Sequence, residues 1–112
     1  ANPDNFVTDE QVIRYWELIR MTGSREAMLQ RQNSRDTVAP LESRLGEITT
    51  PTLLTWGAQD KLVPLALGAR MSSVIFNSRL IAYPDIGHLP MEEAPARTAA
   101  EARAFVEALA AN

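Results

Sequence analysis

Two short apolar runs, Leu53-Leu54-Thr55-Trp56 and Leu80-Ile81-Ala82-Tyr83, interrupt a chain whose other apolar residues recur at helical spacing. Neither run alternates strictly with polar residues, which is the pattern of strands covered on both faces in a parallel sheet. Pro51 disfavours helix at Thr50 and sends the chain into the first run. Between the runs, Pro64 marks a helix start by the preference of proline for the first turn. Leu65, Leu67, Met71 and Val74 fill that helix until Asn77-Ser78 breaks it. After the second run, Pro95 opens a further helix with Ala102, Phe105, Val106 and Leu109 along one stripe. Strand, helix, strand predicts a parallel βαβ unit and hence an α/β fold.

Upstream the pattern is purely helical. Residues 1–7 are turn-rich and read as a linker or loop. Thr8 followed by Gln11 is a capping-box pattern, Asp9 and Glu10 suit the positive end of the helix dipole, and Val7 and Val12 are placed for a hydrophobic staple. Val12, Tyr15, Trp16 and Ile19 form one apolar face, and Gly23 is the expected stop. Ser24 is placed to cap a second helix reaching about Gln32, followed by a loop at Asn33-Ser34-Arg35-Asp36. The apolar face of this hairpin is expected to pack against neighbouring structure, with Trp16 at a substrate pocket as the alternative. Leu41, Leu45 and Ile48 are spaced for a short helix or turn that docks ahead of the first strand.

Composition narrows the classes. With 112 residues, 46% of them hydrophobic, the chain is the size of one modest globular domain. A formal net charge of -3 offers no basic footprint for phosphates, so a nucleic-acid partner is not expected. The absence of cysteine removes disulfides, thiolate metal sites and a cysteine nucleophile. It also fits a reducing compartment, and a cytoplasmic protein is expected. No apolar run approaches the roughly 20 residues that span a bilayer, so no membrane association is expected.

The candidate chemistry lies just past the two strands. Asp60 follows Trp56 by four residues and His88 follows Tyr83 by five. Parallel neighbours share their C-terminal edge, where ligands bind in open α/β sheets. A neutral imidazole there can take a proton from a hydroxyl or water, and a carboxylate on its other nitrogen fixes the tautomer. Singly, each residue has an ordinary reading as a turn or cap residue. A metal site built from His88, Asp60 and a carboxylate such as Asp85 or Glu92 is an alternative. A single histidine and no cysteine argue against it, and neither metal nor organic cofactor is expected.

Two spaced motifs carry a resemblance. Residues 51–64 (Pro51-Thr52-Leu53-Leu54-Thr55-Trp56-Gly57-Ala58-Gln59-Asp60-Lys61-Leu62-Val63-Pro64) and residues 83–95 (Tyr83-Pro84-Asp85-Ile86-Gly87-His88-Leu89-Pro90-Met91-Glu92-Glu93-Ala94-Pro95) resemble the C-terminal part of an α/β-hydrolase-fold enzyme. The resemblance implies that Asp60 is the acid and His88 the histidine of a catalytic triad, with Glu93 and Pro95 matching the flanking pattern. It covers roughly residues 48–112, as the C-terminal part of the hydrolase core. Residues 1–47 resemble, more weakly, the end of a helical lid of the epoxide-hydrolase-like members plus a connector.

The expected fold is therefore a partial α/β-hydrolase fold, two parallel strands with flanking helices and an N-terminal helical hairpin. The family's nucleophile elbow has no counterpart here. Ser24 stands at a helix start and Ser72-Ser73 inside a helix. The chain is thus expected to be a fragment, or one chain of a larger assembly, that is inactive alone. Its partners would be the remainder of the hydrolase core or a second copy. In the complete enzyme the small-molecule substrate would be an ester, an epoxide or halide, or a compound with a related carbon–carbon bond. The competing expectation is a non-catalytic interaction or oligomerisation module that assembles through its open strand edge.

Overall fold

Pro51 releases the chain into β1 (Thr52–Gly57), which pairs in parallel with β2 (Ser78–Tyr83), from Thr52 opposite Ser78 to Gly57 opposite Tyr83. The computed structural model describes residues 7–33 and 41–111, and the expected loops at 1–6 and 34–36 lie outside the described residues. Its helices are α1 (Asp9–Arg20), α2 (Ser24–Asn33), α3 (Leu65–Val74), α4 (Pro90–Glu93) and α5 (Pro95–Ala110), with a 3-10 segment at Leu41–Glu47. Two compact units result, Val7–Leu41 and one running from Glu42 through the two strands to the end.

In the second unit, side chains alternate along each strand, so Trp56 and Ala82 share one face of the sheet and Tyr83 lies on the other. α3 covers the Trp56 face, where a Cβ placed on Gly68 would meet the indole ring at 2.7 Å. The hydroxyls of Ser72 in α3 and Ser78 in β2 meet on that face at 3.1 Å. α5 covers the opposite face, with the Arg97 guanidinium 4.6 Å from the Tyr83 ring centroid and Arg79 paired to Glu101 at 3.9 Å. The expected helix-flanked parallel strands are therefore present.

Their burial is not as expected. Most residues of β1 and β2 are only half-buried, and the buried hydrophobic core among the described residues is Ile75, Tyr83 and Ile86. Two strands with one helix on each face expose too much edge to bury their side chains completely. The C-terminal stripe behaves likewise, with Phe105 half-buried and Val106 and Leu109 exposed. Helix limits shift by a few residues. α3 stops at Val74, before Asn77, because Ile75 is its extended cap, and Ser78 already belongs to β2. The single-turn helix α4 is an addition that periodicity cannot reveal, since four residues do not complete a repeat.

In the first unit, Thr8 caps α1 as its pattern predicts. The Gln11 N–H donates to Thr8 Oγ1 at 3.2 Å and the Thr8 N–H to Gln11 Oε1 at 2.9 Å. α1 ends at Arg20, earlier than expected. Gly23 serves the turn to α2 instead, with a φ of +84° that favours glycine. Ser24 is the first residue of α2 rather than its cap, since the Ala27 N–H bonds the Gly23 carbonyl at 2.9 Å. Within this unit the expected packing of the apolar face is not seen. Val12, Tyr15, Trp16 and Ile19 are all exposed, Trp16 at 57%.

Candidate active site

β1 delivers Asp60 through a tight turn in which the Asp60 N–H returns to the Gly57 carbonyl at 3.2 Å. The carboxylate then folds onto the chain ahead of it. Asp60 Oδ1 accepts the N–H groups of Leu62 at 2.8 Å and Val63 at 2.9 Å, a side-chain turn of the kind aspartate favours. Trp56 closes the arrangement by donating its indole N–H to the Val63 carbonyl at 2.9 Å.

The loop after β2 is fastened to the loop after β1. The Ala58 N–H donates to the Tyr83 carbonyl at 2.8 Å, and the Gln59 N–H to that of Ile86 at 2.9 Å. The Gln59 side-chain amide adds a bond to the Pro84 carbonyl at 3.0 Å. These bonds carry the pairing past the last strand residues and bring Gly87 against Gly57.

As a result Asp60 Oδ2 and His88 Nδ1, 28 residues apart in sequence, meet at 2.8 Å. Only 5% of the Asp60 side chain is exposed, against 37% for His88. Burial alone would push the Asp60 carboxyl up. The N–H of Val63, the His88 ring, the N–H of Leu62 and the charge attraction of His88 together outweigh it and hold the carboxyl below its ordinary value. An ionised carboxylate only accepts, so Nδ1 must carry the proton of this bond. Nε2 makes no hydrogen bond among the described residues. Such an imidazole has one defined tautomer and a basic nitrogen to spare, which is what a general base requires.

A largely apolar cleft of about 180 Å³ adjoins the pair, lined by Thr55, Trp56, Val63, Pro90 and Met91 together with Asp60 and His88. The alternative metal grouping is not assembled. Among the described residues no three His, Asp or Glu side chains gather as a metal site, and the Asp85 carboxylate pairs with Arg97 at 3.3 Å. Of the serines set aside on sequence grounds, Ser72 meets the Ser78 hydroxyl of β2 at 3.1 Å and the Ser73 hydroxyl donates to the Arg70 carbonyl of its own helix at 2.7 Å. Glu93, in the sequence only a match to the flanking pattern, makes bonds that its spacing does not announce. Its carboxylate accepts the N–H of Gly87 and of Leu89, on either side of His88.

The helix-flanked parallel strand pair has relatives among known proteins. Residues 6–95 match the family model of the alpha/beta hydrolase fold, and the chain belongs to that family. It is similar to the 2-hydroxy-6-oxononadienedioate/2-hydroxy-6-oxononatrienedioate hydrolase of Klebsiella pneumoniae subsp. pneumoniae, at 49% identity over 40% of this chain and 16% of the relative. It also resembles the 2-hydroxy-6-oxo-6-phenylhexa-2,4-dienoate hydrolase of Burkholderia cepacia, at 30% identity over 75% of this chain and 30% of the relative. The matches thus span less than a third of the length of these relatives. Among solved structures, a serine hydrolase involved in carbazole degradation superposes with a TM-score of 0.80. That match has 24% identity over 93% of this chain and 42% of that one, and it shows the fold. No described helix is long and apolar enough to cross a membrane.

Proposed function

We propose that this chain contributes the acid and the histidine of a nucleophile–histidine–acid triad to an α/β-hydrolase. His88 acts as general base through Nε2, activating a nucleophile or a water, and Asp60 orients the ring and stabilises the imidazolium that forms. The observation that carries the reading is the 2.8 Å contact between Asp60 Oδ2 and His88 Nδ1. The nucleophile, serine or aspartate, comes from a strand-to-helix elbow outside these 112 residues. The α1–α2 hairpin is read as the end of a lid.

The similar hydrolases are named for 2-hydroxy-6-oxo-dienoate substrates. We therefore place the substrate among small molecules whose carbon–carbon bond beside a ketone is cleaved hydrolytically, with simple esters as the chemically nearest alternative. The few polar groups around the cleft suit an apolar substrate portion. The test is hydrolysis of a 2-hydroxy-6-oxo-dienoate and of an aryl ester by this chain supplied with the nucleophile-bearing region, in one polypeptide or in trans. His88→Ala should lower kcat at least about 10³-fold. Activity that survives this substitution undiminished would refute the reading.

A second reading has its own observation. The two-stranded sheet and the exposed apolar face of α1 both present unsatisfied surface, as an assembly module would. On that reading the chain self-associates, and His88→Ala leaves the association unchanged.

A further inference from the structure

Resting on the reading of His88 as general base, we propose that Glu93 is a positioning residue that aims the imidazole through the peptide groups on either side of it. Glu93 Oε2 accepts the Gly87 N–H at 2.9 Å, and Oε1 accepts the Leu89 N–H at 3.1 Å. One side chain thus holds the backbone before and after His88. The grip is reciprocal, because the Leu89 carbonyl accepts the N–H of Glu92 at 2.9 Å and of Glu93 at 2.8 Å. The histidine loop and the single-turn helix α4 therefore move as one piece.

The chemistry of the side chain fits this work. An ionised carboxylate offers acceptors alone, so both oxygens match the two peptide donors, and charge-assisted bonds of this kind are roughly twice as strong as neutral ones. The bonds between the two loop backbones stop short of His88. The bond from the Gln59 N–H secures the second loop only as far as Ile86. From there the chain passes through Gly87, whose backbone has wide freedom unless something holds it. Glu93 supplies the hold at the point where rotation would swing Nδ1 away from Asp60. A shorter or neutral side chain leaves at least one peptide N–H in this half-buried loop without its acceptor.

His88 is the only histidine in the chain, so nitrogen-15 histidine labelling reads a single imidazole. With the imidazole neutral, the wild-type chain should show a low-field Nδ1 proton and an unprotonated Nε2. Glu93→Ala should abolish the low-field proton and let the two ring nitrogens average towards equal shifts. Glu93→Gln, with one acceptor and one misdirected donor, should lie between them. A wild-type tautomer and low-field proton retained in Glu93→Ala would overturn the proposal. Should the backbone amide spectrum show Glu93→Ala to be unfolded, Glu93→Gln decides, and an unchanged ring there would overturn it equally. A wild-type chain without the low-field proton would instead refute the Asp60–His88 pair itself.

Discussion

Gly57 and Gly87 approach so closely that a Cβ on Gly57 would fall 1.8 Å from the Gly87 carbonyl oxygen and 2.4 Å from that of Ile86. The obstacle is backbone, and it cannot turn aside as a flexible side chain would. Glycine at the end of β1 is thus the condition for the acid loop and the histidine loop to touch. Gly57→Ala should destabilise the chain by about 3 kcal/mol, at the upper end of overpacking costs, or prevent folding outright. Urea denaturation measures this, and a change below about 0.5 kcal/mol would show that the loops separate easily.

The carboxyl of Asp60 is held below its ordinary value in the folded chain, and the sign of the linkage follows. A carboxylate with a depressed folded pKa adds stability that is complete above its unfolded value of 3.8 and is lost as the pH falls through the lower folded value. Asp60→Asn keeps an acceptor for Leu62 and Val63 but removes the charge facing His88. Wild type should therefore exceed Asp60→Asn in unfolding free energy at about pH 5, by the order of 1–3 kcal/mol for a hydrogen bond to a charged group. The margin should shrink below pH 3.8. Parallel urea titrations of the two chains across this range make the check.

Tyr83 is wholly buried, and its hydroxyl finds no hydrogen-bond partner among the described residues. Burial, with a further push from the Glu101 charge, raises its pKa against the lowering effect of Arg97. A buried hydroxyl without a partner costs stability. Tyr83→Phe should be neutral or stabilising by up to about 1 kcal/mol in this chain, while keeping the ring beneath Arg97. Thermal unfolding reads the outcome, and a clear loss of stability would reveal a bond to the hydroxyl.

Trp16 stands largely in solvent on α1, whereas Trp56 is clamped between Gly68 and the Val63 carbonyl. Trp16→Ala should change the stability of this chain by no more than about 0.5 kcal/mol, as exposed substitutions do. The same substitution should remove the solvent-quenchable part of the tryptophan emission. A larger loss of stability would mean that the apolar face of α1 is covered in solution.

Much of the candidate site's geometry is legible in the sequence. Strand–helix–strand order predicts a common C-terminal edge, and the positions of Asp60 and His88 place both there. Thr8 and Gln11 likewise announce their cap, because the interaction is local and uses a fixed spacing. What escaped depends on the third dimension. The grip of Glu93 on Gly87 and Leu89 needs the turn of α4, which has no periodic signature. The half-burial of the strands reflects how little structure these residues place around them. The early end of α1 at Arg20 followed from the turn needing Gly23 in the left-handed region, one step beyond what a glycine stop signals.

Asp60 acts on the reaction through His88. A double-mutant cycle on kcat/KM for dienoate or ester hydrolysis, in the hydrolase completed with its nucleophile-bearing region, tests it most directly. Asp60→Asn and His88→Ala should each lower the rate by about 10³-fold or more, and the double variant should be no slower than His88→Ala alone. Losses that multiply in the double variant would contradict it.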